Sequence, residues 1–198
     1  MANPAFSLCV YCGSRPGNEA IFADTARAVG TWIGANGGQL VYGGGHNGLM
    51  GMVADATQAA GGRVVGVIPQ SLVDKEFANR RCEELYIVQT MHERKAMMAE
   101  RADAFLALPG GIGTFEELFE VWTWRQLGYH AKPIGLLNAG GYYDSLLGFL
   151  QQSVASGFMN DWQMELLQTG TSTEALLPGL VQAAADRSGD RIPLRSVI

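Results

Sequence analysis

Two pairs of charged residues stand close to glycine-rich turns in this chain. Arg94 and Lys95 lie in TMHERKAMMAERADAF (90–105), and Glu116 and Glu117 close the stretch ALPGGIGTFEE (107–117). The second stretch leaves an apolar run, turns on a proline and glycines, and enters a helix predicted over 115–127. Glycines in such a turn let backbone N–H groups approach a ligand without a Cβ in the way. The helix N-terminus adds orphan donors and partial positive charge, which together suit an anion. Carboxylates do not bind anions, so the two glutamates need another role.

Each candidate also has a purely structural reading. Thr114 and Glu117 fit a capping box, with Thr114 as N-cap and Glu117 reaching back. Glu116 suits a first turn because acids there complement the helix dipole. Arg94 and Lys95 would oppose that dipole in the first turn of their own helix, with Glu93 as a screen. The apolar positions Phe115, Leu118, Phe119 and Trp122 define the helix's core face without either acid. Glu117 therefore reads as cap or catalyst, and the basic pair as a solvated face or, in the favoured reading, a phosphate contact.

The elements around these residues alternate. Strands are predicted at 6–11, 39–42, 64–68, 85–89, 104–108, 133–137 and 164–168. Helices are predicted near 19–35, 48–60, 93–101, 115–127, 142–155 and 173–186. Such alternation implies βαβ units: an α/β fold with a doubly wound parallel sheet of about seven strands and helices on both faces. Runs such as Val64-Val65-Gly66-Val67-Ile68 are apolar on both sides, as a strand covered twice should be. At 198 residues the chain is expected to form a single domain (1–198), with a tail from about residue 183 that frays.

In such a sheet, ligands bind outside the carboxyl ends of the strands. Three strand exits carry glycine turns: YCGSRPG (11–17), VYGGGHNGLMG (41–51) and ALPGGIGTFEE. Three such turns on one edge point to a phosphate or nucleotide site. Gly43, Gly45 and Gly48 satisfy GxGxxG, but no acid stands about twenty residues later to hold a dinucleotide ribose. Leu49 and Met50 stand where a P-loop needs Lys and Ser or Thr. No histidine-rich or acidic metal motif is present, so the site is expected to take a mononucleotide, with neither metal nor cofactor. His46, His92 and His130 are assigned no catalysis, and Trp122 and Trp124 read as core or base-pocket aromatics.

Composition narrows the partners. The net charge is −5, which leaves no general basic surface for a nucleic acid. No apolar stretch approaches a membrane span, and residues 1–12 lack a secretory signal. Cys9, Cys12 and Cys82 suggest no disulfide framework, and the Cys9–Cys12 spacing has no second pair to complete a zinc site. A cytoplasmic location is expected. The aromatics of EVWTWRQLGY exceed what one core face needs, which points to an interface.

Taken together, MHERK, PGGIGTFEE, YGGGHNGLMG and CGSRPG resemble the motifs of the LOG (Lonely Guy) family, and the similarity runs from about residue 6 to 155. The resemblance implies a Rossmann-like homodimer, a cytokinin riboside 5′-monophosphate phosphoribohydrolase that hydrolyses the N-glycosidic bond of adenosine-type 5′-monophosphates (AMP or N6-modified AMP) to free base and ribose 5-phosphate. It implies Arg94 and Glu117 as the catalytic pair. It and the glycine turns imply substrate contacts from Ser14, Gly44, Gly45, Glu76, Lys95, Gly111, Ile112, Gly113, Thr114, Phe115, Glu116 and Thr123. Some relatives carry the older description "lysine decarboxylase-like", yet nothing marks a pyridoxal-phosphate lysine here. The alternative is a non-catalytic nucleotide or cofactor carrier of the same fold.

Overall fold

The computed structural model describes residues 3–75 and 77–187. Seven parallel strands form one sheet: β1 (Ser7–Tyr11), β2 (Gln39–Tyr42), β3 (Arg63–Pro69), β4 (Glu84–Val88), β5 (Ala104–Ala107), β6 (Ile134–Leu137) and β7 (Leu167–Gly170). Their order is β4-β3-β2-β1-β5-β6-β7. β1 pairs with β2 on one side (Leu8 beside Leu40) and with β5 on the other (Cys9 beside Phe105). The chain winds outward through β2, β3 and β4, then crosses back to β5. The strand order therefore reverses between β1 and β5, where a crevice opens at the carboxyl ends.

Side-chain alternation divides the core into two layers. Leu8, Val10, Leu40, Tyr42 and Leu106 point to one face, covered by α1 (Ala20–Ala35), α2 (Gly48–Ala59) and α8 (Thr173–Ala185). Cys9, Tyr11, Val41, Val67 and Phe105 point to the other, covered by α4 (Met91–Arg101), α5 (Ile112–Gln126) and α6 (Asp144–Ala155). The central strands are buried along their whole length, as their two-sided apolar sequences require. The described residues also form two short α-helices, α3 (Gln70–Val73) and α7 (Asp161–Glu165), and a 3-10 turn at Ala139–Gly141.

Several boundaries differ from the sequence reading. α5 begins at Ile112 with Gly111 as N-cap, three residues earlier than expected. Glu116 and Glu117 consequently occupy its second turn, and Thr114 is not a cap. α4 begins at Met91, and the capping box belongs there: Thr90 Oγ1 accepts from the Glu93 N–H, and Glu93 accepts from the Thr90 N–H. Arg94 closes the first turn, its N–H donating to Thr90 O at 3.2 Å, and Lys95 opens the second, where the dipole penalty fades. The last strand lies at 167–170 rather than 164–168. Helix α7 takes up part of that stretch, with the Gln163 side chain accepting from the Asn160 N–H at 2.7 Å. The end of α8 is regular to Ala185, and most of the tail expected to fray lies outside the described residues.

Candidate active site

The three glycine turns meet at the β1–β5 crevice and are tied together through backbone. Gly13 N–H donates to Pro109 O at 3.0 Å, and Leu49 N–H donates to Gly13 O at 3.0 Å. Gly48 has φ +57°, and a Cβ there would stand 2.4 Å from Arg15 N. Only glycine meets both demands, so the start of α2 packs directly on the β1 turn. Gly110 is equally constrained: a Cβ would lie 2.1 Å from Thr114 Oγ1. The buried Thr114 therefore seats the first turn of α5 on the turn that precedes it.

These turns surround a cavity of about 640 Å³, within the range of roughly 300–1,000 Å³ usual for small-molecule sites. One wall is the N-terminus of α5, which no side chain caps. Nothing lies within 4 Å of where a Cβ on Gly111 or Gly113 would project. The open space and the uncapped N–H groups make this wall accessible to an anion. The apolar part of the lining is built by Phe22, Leu49, Met50, Leu72 and Tyr142. Tyr142 rests its ring edge-on to Phe22 and donates its hydroxyl hydrogen to Gly110 O.

Arg94 and Glu117 stand deeper in the same cavity. Arg94 Nη1 donates to Glu117 Oε1 at 2.9 Å, and both residues are buried. Arg94 Nε donates to Val67 O at 3.2 Å, which anchors the guanidinium to the end of β3. Its plane lies over Gly43, where a Cβ would come within 2.0 Å of Nη2. The first glycine of the GGG run is thus a seat for Arg94. Among the described residues Nη2 donates to no acceptor, so that donor remains for a ligand. Burial raises the Glu117 carboxyl above the ordinary range; Arg94 opposes the shift and Glu116 adds to it.

Arg94 and Lys95 part company. Lys95 Nζ bonds to Glu120 at 2.9 Å and to Glu116, forming a three-residue ion cluster between α4 and α5. Burial disfavours its charge, but the two carboxylates outweigh this and raise its pKa. It does not line the cavity, and neither does Glu116.

Of the residues expected to contact substrate, Ser14, Gly111, Ile112, Gly113 and Thr114 line the cavity together with Arg94 and Glu117. Gly44 and Gly45 do not: Gly44 O accepts from the Asn79 N–H, and Gly45 bridges to Ala78, so both pin the segment after β3. Phe115 packs edge-on to Tyr143, and Thr123 is exposed two turns beyond Glu117. Glu76 lies outside the described residues. Trp122 is core, its indole N–H donating to Gln163 O at 2.9 Å, and Trp124 packs against the same layer; neither enters the cavity. Sequence reasoning missed the apolar wall, because Phe22 and Leu49 carry the same helical spacing as core residues. It also passed over Arg15, in a turn quoted for its glycines.

Other titratable groups nearby are held neutral. Burial pushes the Cys9 thiol up to about 12, and Cys12 and Tyr11 also rise through burial. His130 is lowered to about 4 by burial, with Nε2 donating to Val121 O and Nδ1 accepting from the Lys132 N–H.

Comparisons with known proteins bear on the family and the fold. The profile of the family described as "Possible lysine decarboxylase" matches residues 50–180. The chain is 53% identical over 152 residues to the probable cytokinin riboside 5′-monophosphate phosphoribohydrolase LOGL9 of Oryza sativa subsp. japonica, covering 77% of this chain and 67% of that protein. It is 46% identical over 170 residues to cytokinin riboside 5′-monophosphate phosphoribohydrolase LOG2 of Arabidopsis thaliana, covering 86% and 80%. Among solved structures, the molybdenum cofactor binding protein of Rippkaea orientalis superposes with a TM-score of 0.67 over 92% of this chain and 98% of that one. Its 17% identity makes this a likeness of fold.

Proposed function

The chain belongs to the Possible lysine decarboxylase (LOG) family, and we propose that it is a phosphoribohydrolase of cytokinin riboside 5′-monophosphates. It hydrolyses the N-glycosidic bond of an adenosine-type 5′-monophosphate, giving free base and ribose 5-phosphate. The observation that carries this reading is the buried Glu117 carboxylate, held by Arg94 in a cavity whose rim is an uncapped helix N-terminus.

The parts divide by chemistry. The 5′-phosphate sits at Gly111–Thr114, where free N–H groups and the helix dipole receive it. Glu117 follows three residues after Thr114 on the same helix, about 4.5 Å further along the axis. That spacing brings it towards the sugar's C1′. As the C1′–N bond breaks, its electron pair leaves with the base and positive charge builds on the sugar. Ionised Glu117 stabilises that charge and takes a proton from the attacking water, whose oxygen bonds to C1′. The proton that Glu117 takes from the water passes on to the departing base, which returns the carboxylate to its ionised form. Arg94 remains protonated throughout; it orients Glu117 and offers Nη2 to the substrate. The base lies against Phe22, Met50 and Tyr142.

A decarboxylase that binds pyridoxal phosphate needs a lysine at the cavity. The three lysines are Lys75, Lys95 and Lys132, and none lines it. A carrier without turnover would have no use for a buried carboxylate beside the sugar.

We further take the protein to be a homodimer of the cytoplasm. Phe149, Phe158 and Trp162 are exposed in and around α6 and α7, an apolar surface of the kind that pairs copies. All three cysteines are free, which suits a reducing compartment. Among the described residues no helix is long and apolar enough to cross a membrane. Light scattering at micromolar concentration should give twice the 21.2 kDa chain mass; a monomer contradicts the dimer.

Incubation with a panel of nucleosides and nucleoside 5′-monophosphates, with chelator present, tests the reaction. Chromatography should find adenine-type base released from AMP or its N6-substituted forms. Release from no monophosphate overturns the assignment.

A further inference from the structure

Three charged residues line the cavity among the described residues: Arg15, Arg94 and Glu117. Arg94 and Glu117 neutralise one another across 2.9 Å. Arg15 is therefore the cavity's uncompensated charge, a local cation in a chain whose net charge is −5. Among the described residues no carboxylate forms an ion pair with it, although five other basic residues have such partners.

The backbone of Arg15 is held in place even though its side chain is exposed. Gly48 packs against Arg15 N, Gly13 lies against Arg15 O, and Gly13 is bonded to both Pro109 and Leu49. Pro16 restricts Arg15 further towards extended backbone. The β1 turn is thus clamped between the start of α2 and the turn that leads into α5. Arg15 therefore lines the same cavity as the uncapped N–H groups of Gly111 to Thr114.

We infer that Arg15 is a specificity-determining residue that contacts the substrate's 5′-phosphate and distinguishes nucleoside 5′-monophosphates from nucleosides. The inference rests on the phosphoribohydrolase reading and extends it. The helix N-terminus supplies neutral donors and partial charge, whereas a phosphate dianion at neutral pH retains unbalanced negative charge there. The guanidinium fork supplies a full charge and two parallel donors. Arg15 touches no reacting atom, so it acts on binding more than on bond cleavage.

The test compares wild type with Arg15→Gln and Arg15→Lys. Steady-state kinetics on AMP and adenosine are combined with calorimetric binding of AMP and ribose 5-phosphate. Arg15→Gln should raise KM for AMP and weaken ribose 5-phosphate binding by about 10- to 100-fold, the range of a charge-assisted contact. kcat should fall much less, the AMP-over-adenosine preference should shrink, and Arg15→Lys should recover part of the loss. AMP and ribose 5-phosphate affinities within about twofold of wild type would make Arg15 a solvated surface residue and overturn the inference. A wild type that binds AMP without releasing base strikes the hydrolase reading alone. One that binds neither ligand overturns both.

Discussion

The guanidinium of Arg94 rests on the bare Cα of Gly43, so close that a single methyl group there would stand 2.0 Å from Nη2. The glycine run after β2 is thereby coupled to the carboxylate on α5, because the same guanidinium holds Glu117. A residue with no functional group of its own sets the position of the two that have them.

Gly43→Ala should for that reason behave as an active-site mutation with little effect on the fold. The obstructed atom is the far end of a flexible side chain, so Arg94 swings aside at small cost in stability. Displacement of about 1 Å is enough to lose on the order of 10²-fold in rate. Turnover of AMP should fall steeply while the melting temperature moves by a few degrees at most. Wild-type turnover in Gly43→Ala would show that Arg94 need not sit on Gly43.

Burial of Glu117 has a pH signature. Its pKa in the folded protein is raised by burial, and the reaction needs it ionised. kcat/KM should therefore fall on the acid side with an apparent pKa above about 4.3, the ordinary glutamate value. The effect on stability has the opposite sense. A folded state that holds the proton more tightly than the unfolded chain loses stability as pH rises from the ordinary glutamate pKa through the raised one. Glu117→Gln should remove that component from the pH dependence of unfolding. A rate profile flat down to the ordinary glutamate range contradicts an ionised Glu117 acting from a buried site.

Lys95 gives a contrasting expectation. Its ammonium group is held by Glu116 and Glu120, away from the cavity. Lys95→Met should lower stability by about 1 kcal/mol and leave KM for AMP within about threefold, far below the loss of a charge-assisted contact. A tenfold rise in KM would return Lys95 to the substrate contacts that the sequence pattern suggested.

The order of strands and helices is readable because the two-sided apolar runs and the amphipathic stretches differ so plainly, as in Val64–Ile68 against Phe115–Trp122. The place of the site at the strand exits follows from the glycine turns. What spacing alone does not reveal is which of two adjacent residues turns inward. Successive helical residues point about 100° apart, so Arg94 reaches Gly43 while Lys95 reaches the acids on α5. The start of α5 is not legible in sequence because Gly111-Ile112-Gly113 has loop composition. The helix begins there with Thr114 buried against Gly110, a tertiary contact that local composition does not show. That shift carries Glu117 out of the cap position and into the cavity. Phe22 and Tyr142 were invisible as site residues, since nothing in sequence separates a cavity wall from a core.

The most direct measurement is the rate of base release from AMP by Glu117→Gln, read beside calorimetric binding of AMP. Gln keeps the shape and an acceptor for Arg94 Nη1 but lacks the charge and basicity that the bond cleavage needs. With Glu117 as the catalytic carboxylate, turnover should fall by about 10²–10⁴-fold, while circular dichroism remains native and AMP still binds. A folded Glu117→Gln protein that releases base at a near-normal rate would contradict the account and move the catalytic role to another residue.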